Sequence, residues 1–375
     1  MIYEKEITTM KKRLIALSLV LAMAATATAC GGSKSDSAAA DTSAAADTSA
    51  ASDSADASAD SADASTEGGV TGDYRELSLF AGSIPENTPT GGALAAMADY
   101  INENSNGTLN AIAYYDTALG DATSMVQGLQ QGTVDIGVSG TAYFSGLNPE
   151  IEVFQLPFLF EDLETARKAT SGAAAEKINA DMEQYGVVGL SFWENGFREL
   201  SNDIREVKTP DDLKGIKMRV LPAEVQQKTW EALGVQTTAM DASELYTGLQ
   251  TGIIDAQDNP LHEIVSRKLY EVQPYVSLTD ATYTPFYMAA SKLTWDELSE
   301  SQQALLKEAA EVGREKQFEL TDAAQAEALQ TLKDNGVTVT EDVDKEAFKA
   351  IAEQQWTVFT DACGTELLDM VQAGE

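Results

Sequence analysis

Arg219 is the residue whose type and position in the sequence most clearly suggest chemistry. Residues 216–220 alternate apolar and charged side chains, which predicts a strand, and Leu221-Pro222 ends that strand and opens a helix. In open α/β sheets ligands bind just outside the carboxyl ends of strands, and a guanidinium there offers two parallel donors to a carboxylate. Arg219 is therefore a candidate anion-binding residue. A surface arginine in an ion pair is the alternative that spacing alone leaves open.

Two segments that lie 120 residues apart share one pattern. Asp121 to Ile136 and Asp241 to Ala256 carry Asp, Ala, Gly, Leu, Gln, Gly and Asp at matching positions. Each copy offers an aspartate suited to capping a helix, apolar positions three and four apart, a glycine suited to end the helix, and a β-branched run. The pattern predicts a helix-turn-strand unit that is used twice. So long a period indicates two related lobes, each with its own sheet, and a cleft between them.

Five motifs carry a resemblance to a known family: LKGIKMRV, SELYTGLQTGIIDAQDNP, RKLYEVQPYVSLTD, FQLPFLFEDLETARK and GLSFWENGFRELSN. From about Leu77 to about Val339 the chain resembles the substrate-binding proteins of TRAP transporters, of the DctP type. The resemblance implies an α/β, two-lobed periplasmic-binding-protein-like fold with mainly parallel sheets flanked by helices, a ligand cleft between the lobes and a long helix crossing both. The implied function is to bind a small organic carboxylate by an arginine clamp and deliver it to the small and large membrane permease subunits for uptake driven by an ion gradient.

The resemblance also assigns site residues. Arg219 matches the principal carboxylate-binding arginine of the family, Arg198 matches a second arginine, and Asn259 matches an asparagine that hydrogen-bonds the same group. Two guanidinium groups and an amide suit one carboxylate, because a buried anion needs an opposite charge nearby and hydrogen-bond donors for its lone pairs. Asp121 is a weaker candidate because it is also suited to cap a helix, and Trp193 is equally suited to packing. The weaker candidates are Asp121, Ser139, Trp193, Glu194, Asn195 and Tyr246.

Four alanines depart from the family pattern. Ala242 stands where relatives usually place an aromatic residue, Ala223 where a small polar residue is common, Ala281 where histidine is frequent, and Ala122 where arginine is frequent. From these departures we expect a pocket that is wider and less polar than in relatives, so the identity of the acid does not follow from any relative.

The N-terminus predicts the compartment. Residues 1–30 are predicted to be a lipoprotein signal peptide, with a basic start at Lys11-Lys12-Arg13, an apolar core, small residues, and Cys30 as the lipidated residue; Met10 is the expected true start. Ordinary signal cleavage is the alternative. The mature protein is expected outside the cytoplasm, in the periplasm or on the outer face of the cell membrane, and anchored there through Cys30.

The remaining boundaries follow from composition and from the resemblance. Residues 31–72 are predicted to be a disordered tether, because this segment is nearly all Ser, Ala, Asp and Thr and cannot bury apolar area; an alanine-rich helix is the alternative. Lobe I is predicted from 73–196 plus 284–324, and lobe II from 197–283 plus 325–375. A long helical segment is predicted over 294–335, a strand over 337–340 and one closing helix over 345–371.

Composition weighs against several other functions. The net charge is −35, and no basic stripe suited to nucleic acid is present in the sequence. His262 is the only histidine, and it lies near no nucleophile motif, so neither a catalytic triad nor a zinc site is indicated. We therefore expect a binding protein without a cofactor, rather than an enzyme. The alternatives are a receptor coupled to an ABC transporter or a sensor and, further off, a carboxylate-dependent hydrolase.

Overall fold

The computed structural model describes residues 69–374. The predicted signal peptide, the lipidated Cys30, the start at Met10 and the tether as far as residue 68 lie outside the described residues. Between residues 69 and 374, no helix has the length and apolar character needed to cross a membrane.

Nine strands form one hydrogen-bonded sheet in the described part of the chain. They are β1 (Arg75–Gly82), β2 (Leu109–Asp116), β3 (Ile136–Gly140), β4 (Val187–Asn202), β5 (Lys217–Val220), β6 (Gln236–Ala239), β7 (Ala256–Asn259), β8 (Tyr275–Ser291) and β9 (Thr338–Thr340). Their order is β2-β1-β3-β8-β4-β7-β5-β6, with β9 beside β8.

The sheet has two halves, each with parallel strand pairs. In the first half β1 pairs in parallel with β2 and β3, and in the second half β5 pairs in parallel with β6 and β7. The long antiparallel strands β4 and β8, of 16 and 17 residues, run through both halves. The expectation of a separate sheet in each lobe was thus wrong, because these two strands are long enough to serve both. The lobe boundaries themselves stay a prediction.

Helices flank both halves of the sheet. They are α1 (Pro89–Asn104), α2 (Ala122–Gln131), α3 (Leu163–Ala169), α4 (Ala173–Asp181), α5 (Glu224–Ala232), α6 (Leu245–Gln250), α7 (Leu261–Ser266), α8 (Lys292–Trp295), α9 (Glu300–Asp334), α10 (Lys345–Ala352), α11 (Trp356–Cys363) and α12 (Glu366–Ala373). Each half of the sheet contributes to apolar cores of its own, for example around Leu79 and Met97 in the first half and around Met218 and Trp230 in the second.

The two copies of the repeat fold alike at their ends and differently at their starts. Gly132 and Gly252 both have left-handed φ angles, of 73° and 71°, where their helices end, and a strand follows each. Asp121 caps α2 by accepting a hydrogen bond from the backbone N–H of Ser124. Asp241 does not cap α6, which begins only at Leu245. The carboxylate of Asp241 instead accepts hydrogen bonds from the side chains of Ser83 and Ser243.

The long helix α9 is confirmed, as a single element of 35 residues. Ser299 and Gln302 form a capping box at its start. The helix packs on α1 and β4 and reaches α7, where Gln325 accepts from the backbone N–H of His262. It therefore spans both halves of the fold.

The predicted closing helix over 345–371 was wrong as a single element. The chain forms α10, α11 and α12 instead, with a 3₁₀ turn at Glu353–Gln355 between the first two. Gly364 has φ 78° after α11, a backbone conformation that ends a helix and that glycine adopts without strain. Phe359, in α11, is buried.

Candidate functional site

A cleft lies between the two halves of the fold. Its walls come from the loop after β1, the end of β3, the middle of β4 and β8, the ends of β5 and β7, and α7. The carboxyl ends of parallel strands from both halves thus meet here, as expected for ligand sites in open α/β folds.

Arg219 lies at this meeting point. It belongs to β5, and its side chain is fully buried and lines the cleft. Its Nε donates to the carbonyl oxygen of Met240 over 2.9 Å, and Nη2 lies 3.4 Å from the hydroxyl oxygen of Tyr143. Nη1 has no hydrogen-bond partner among residues 69–374, and no carboxylate of this part of the chain forms an ion pair with Arg219. A buried cation without a counter-charge is costly, so the arrangement suits an incoming anion.

Burial also acts on the ionisation of the two groups at this point. Burial lowers the pKa of Arg219 from its usual value, although guanidinium remains charged in proteins. Burial raises the pKa of Tyr143, so its phenol stays neutral. The Tyr143 oxygen accepts from the backbone N–H of Ala242 over 3.0 Å. The phenol therefore holds Arg219 and the start of the second repeat copy together without neutralising the guanidinium.

Arg198 also lines the cleft, but its charge is already paired. It lies in β4, 1% exposed, with Nε 3.0 Å from Oδ2 of Asp258. Its Nη2 donates to the backbone carbonyl of Asp258 and to Oδ1 of the same residue, and Nη1 donates to Thr284 over 3.3 Å. Arg198 thus reaches the cleft as one half of a buried ion pair.

Three polar candidates lie with these arginines at the cleft. Asn259 ends β7 and donates through Nδ2 to Oε1 of Gln257 over 2.5 Å. Asn195 donates to Thr284 over 3.1 Å, while its Oδ1 is buried and has no partner among the described residues. Ser139, at the end of β3, donates to the carbonyl of Gly82.

The other weaker candidates do not line the cleft. Asp121 is occupied as the cap of α2. Trp193 packs against α9 and donates through Nε1 to the carbonyl of Ala310. Glu194 forms a two-point ion pair with Arg167. Tyr246 donates its hydroxyl to Glu271. In each case a contact outside the cleft holds the side chain. Trp193 therefore has the packing role that was the alternative to ligand binding.

Two charged residues of the cleft were missed by the sequence analysis. Glu263 and Arg267 lie four residues apart, on and directly after α7, and Arg267 donates through Nε to Oε2 of Glu263. Arg267 also donates to the backbone carbonyl of Ser83 over 2.9 Å, across the cleft. The spacing of this pair, directly after Asn259-Pro260, is the signal that could have found it.

The four alanines differ in where they lie relative to the cleft. Only Ala242 lines the cleft; Ala122, Ala223 and Ala281 are buried outside its lining. The cleft carries arginine, glutamate, asparagine, glutamine and threonine side chains. That it is wider and less polar than the clefts of relatives stays a prediction.

Hydrogen bonds join the two sides of the cleft. Glu152, from the first side, accepts from the backbone N–H groups of Glu224 and Val225 at the start of α5. Gln226, on α5, donates to Gln155, which lines the cleft. Burial raises the pKa of Glu152, and the hydrogen bonds from α5 work against that effect. These hydrogen bonds hold α5 against the segment that carries Glu152 and Gln155.

A two-lobed α/β fold whose cleft carries a buried arginine, without a carboxylate partner among residues 69–374, is typical of ligand-binding receptors. Residues 80–361 match the family described as bacterial extracellular solute-binding protein, family 7, or DctP. The chain belongs to this family, whose members are extracytoplasmic solute receptors.

Relatives and solved structures agree with this membership. The chain is 36% identical, over 72% of its length and 80% of the other, to the 2,3-diketo-L-gulonate-binding periplasmic protein YiaO of Escherichia coli (strain K12). It is similar to the sugar acid binding protein DctPAm of Advenella mimigardefordensis in complex with galactonate, with a TM-score of 0.78, 31% identity, and coverage of 81% and 98% of the two chains. It is also similar to a TRAP periplasmic solute binding protein from Polaromonas sp. JS666 bound to D-erythronate, with a TM-score of 0.77, 30% identity, and coverage of 80% and 98%.

Proposed function

We propose that this protein binds a small organic carboxylate at Arg219 and delivers it to a TRAP-type membrane permease. The observation that carries the proposal is the fully buried guanidinium of Arg219, which lacks a carboxylate partner among residues 69–374 and faces the cleft with Nη1 unpartnered. A carboxylate bound there would supply the missing counter-charge and accept from a planar pair of donors.

The other cleft groups fit the same role. Asn259 and Arg198 lie in the same cleft as Arg219, and Gln155 has a buried Nε2 without a partner among the described residues. An amide N–H beside a guanidinium can donate a further hydrogen bond to the oxygens of a carboxylate. Closure of the two sides removes water from the pair and strengthens its attraction, since the effective dielectric constant falls. The ligands of the similar receptors, galactonate and D-erythronate, are carboxylates and support this assignment.

The experiment is thermal unfolding of the purified protein against a panel of mono- and dicarboxylates, sugar acids and aromatic acids. A ligand at 100 times its dissociation constant stabilises the native state by about 2.7 kcal/mol, a readily measured rise in Tm. In Arg219→Met we expect that rise to vanish. The unliganded variant should be at least as stable as the wild type, because the substitution removes an unpaired buried charge.

The matched control is Arg205→Met, which removes an exposed arginine. It should leave the ligand-induced rise in Tm intact. A rise that persists undiminished in Arg219→Met would place the carboxylate elsewhere, and no rise with any acid of the panel would overturn the proposal.

Delivery to a permease and anchoring through Cys30 complete the proposal. Uptake of the identified acid by vesicles that hold the cognate small and large permease subunits should require this protein and an ion gradient. Uptake that depends on ATP instead would favour an ABC-type partner.

Palmitate labelling that is lost in Cys30→Ser would support the lipid anchor at Cys30. A catalytic unit that depends on histidine would have to use His262, whose Nε2 lies 2.8 Å from the carbonyl oxygen of Asn195, a contact that suits a structural histidine.

A further inference from the structure

The balance of charged side chains in the cleft allows one further negative charge to be paired. Three arginines line it: Arg198, Arg219 and Arg267. Arg198 is paired with Asp258, and Arg267 is paired with Glu263. Within residues 69–374, Arg219 alone of the three has no carboxylate partner. One free cation in a buried cleft matches one carboxylate of the ligand, because every further buried charge needs its own partner.

Glu263 brings a negative charge to the wall of the cleft. Its side chain is 2% exposed, Oε2 accepts from Arg267, and Oε1 has no partner among the described residues. Burial acts to raise the pKa of Glu263, but the charges of Arg267, His262 and Arg198 outweigh burial and lower it, so the carboxyl group is ionised. A buried ionised oxygen accepts strongly from a hydroxyl group and repels a second carboxylate.

A second buried acceptor lies on the wall of the cleft. Oδ1 of Asn195 is buried, belongs to a residue that lines the cleft, and has no partner in the described part of the chain. Unpartnered buried acceptors are rare, and a hydroxyl group of a ligand would satisfy this one.

We propose that Glu263 makes the cleft selective for hydroxylated monocarboxylates and excludes the dicarboxylates of the same skeleton. The inference rests on the proposed function, since it places the single carboxylate of the ligand at Arg219. The hydroxyl groups then donate to Oε1 of Glu263 and Oδ1 of Asn195. A second carboxylate at the far end of the ligand would meet Glu263 and no free cation.

Two pairs of acids isolate this effect. Galactonate and galactarate share their carbon chain and their internal hydroxyl groups, and differ only in a terminal CH₂OH or carboxylate; a four-carbon hydroxy acid and its dicarboxylate form a shorter pair. Calorimetric dissociation constants should favour the monocarboxylate by on the order of 100-fold in the wild type, because like charges in a desolvated site are strongly disfavoured.

Variants test whether Glu263 causes the preference. In Glu263→Gln we expect the preference to fall to about tenfold or less, because glutamine keeps an acceptor oxygen and removes the charge. The matched control is Glu194→Gln, since Glu194 is also buried and paired with an arginine but does not line the cleft. It should leave the ratio unchanged. Asn195→Asp adds a negative charge to the wall and should widen the ratio, which provides a second test if Glu263→Gln does not fold.

The outcomes separate this inference from the proposed function. Equal affinity for both acids of a pair, or a preference for the dicarboxylate, overturns the role of Glu263; the proposed function survives if binding still vanishes in Arg219→Met. A ratio that neither Glu263→Gln nor Asn195→Asp changes overturns the inference as well. Binding of other carboxylates but of neither pair overturns the hydroxyl part, and binding of no carboxylate overturns both proposals.

Discussion

Ser83 donates its hydroxyl hydrogen to Oδ1 of Asp241 over 2.6 Å, which joins the loop after β1 to the start of the second repeat copy. The same hydroxyl oxygen accepts from the backbone N–H of Ala122 at the start of α2 over 2.9 Å. The carbonyl of Ser83 accepts from Arg267. One serine thus contacts the N-terminal ends of both repeat copies and the region after α7, across the cleft.

Replacing this serine tests how much the cross-cleft contact contributes to closure. Ser83→Ala removes a hydrogen bond to a carboxylate, and such bonds contribute about 1.5–3 kcal/mol. If the contact forms only when the cleft closes, ligand affinity should fall about tenfold or more, since 1.4 kcal/mol corresponds to tenfold. Calorimetry with the best acid of the panel measures this loss.

The control for Ser83 is a buried serine that does not line the cleft. Ser105 donates to the carbonyl of Leu109 over 3.0 Å. Ser105→Ala should therefore leave the ligand affinity unchanged. Equal losses in the two variants would show that the loss in Ser83→Ala does not come from the contact with Asp241.

Arg198 and Arg219, two of the three arginines that line the cleft, should respond differently to substitution. Arg198 and Asp258 are each 1% exposed, and removing one partner of a buried ion pair typically destabilises by about 3–5 kcal/mol. Arg198→Met should therefore lower the free energy of unfolding strongly in urea titrations, and the double variant Arg198→Met/Asp258→Asn should recover part of the loss. Arg219→Met should not destabilise the unliganded protein. Equal destabilisation by the two single variants would contradict this difference.

The sequence predicted the elements of this site better than their pairing. Arg219 was placed at a strand end because local alternation and Pro222 mark that strand. The pairing of Arg198 with Asp258 was not predictable, because it arises from the antiparallel register of β4 and β7, where Leu200 lies opposite Asp258. That register depends on bulges in β4, one of them between Arg198 and Leu200, and bulges leave no clear signal in a single sequence.

In the fold, too, features set by neighbouring residues were predicted, and features set by contacts between distant residues were not. The repeat at Asp121 and Asp241 correctly predicted a helix and a strand in each copy, since caps and terminal glycines are local signals. Asp121 caps a helix, whereas Asp241 accepts from the hydroxyl of Ser83. This difference was not predictable, because Ser83 lies far from Asp241 in sequence. The break in the closing helix at Gly364 was readable from composition and was missed.

Glu199 gives the protein a dependence of stability on pH. It lies in β4, 4% exposed, and Oε2 accepts from the backbone N–H of Asp280 over 3.1 Å. Burial, the charge of Asp280 and a hydrogen bond shared by the two carboxyl groups raise the pKa of Glu199 well above its usual value, while that backbone N–H and Lys345 act in the opposite direction. The native state therefore holds this proton more tightly than the unfolded chain does.

A raised pKa in the folded state means that stability from Glu199 is fully present below the pKa of an unfolded glutamate, about 4.3, and is lost as pH rises through the folded pKa. Glu199→Gln keeps an acceptor for Asp280 and has no proton to lose. Its free energy of unfolding, measured in urea from pH 4 to pH 8, should rise relative to the wild type by up to about 1.4 kcal/mol per pH unit within that window.

The control is Glu231→Gln, which removes a carboxylate whose pKa is lowered by a hydrogen bond from Lys228. The difference in free energy of unfolding between this variant and the wild type should have the opposite sign. A difference between Glu199→Gln and the wild type that is constant with pH would show that Glu199 titrates alike in the folded and unfolded chains.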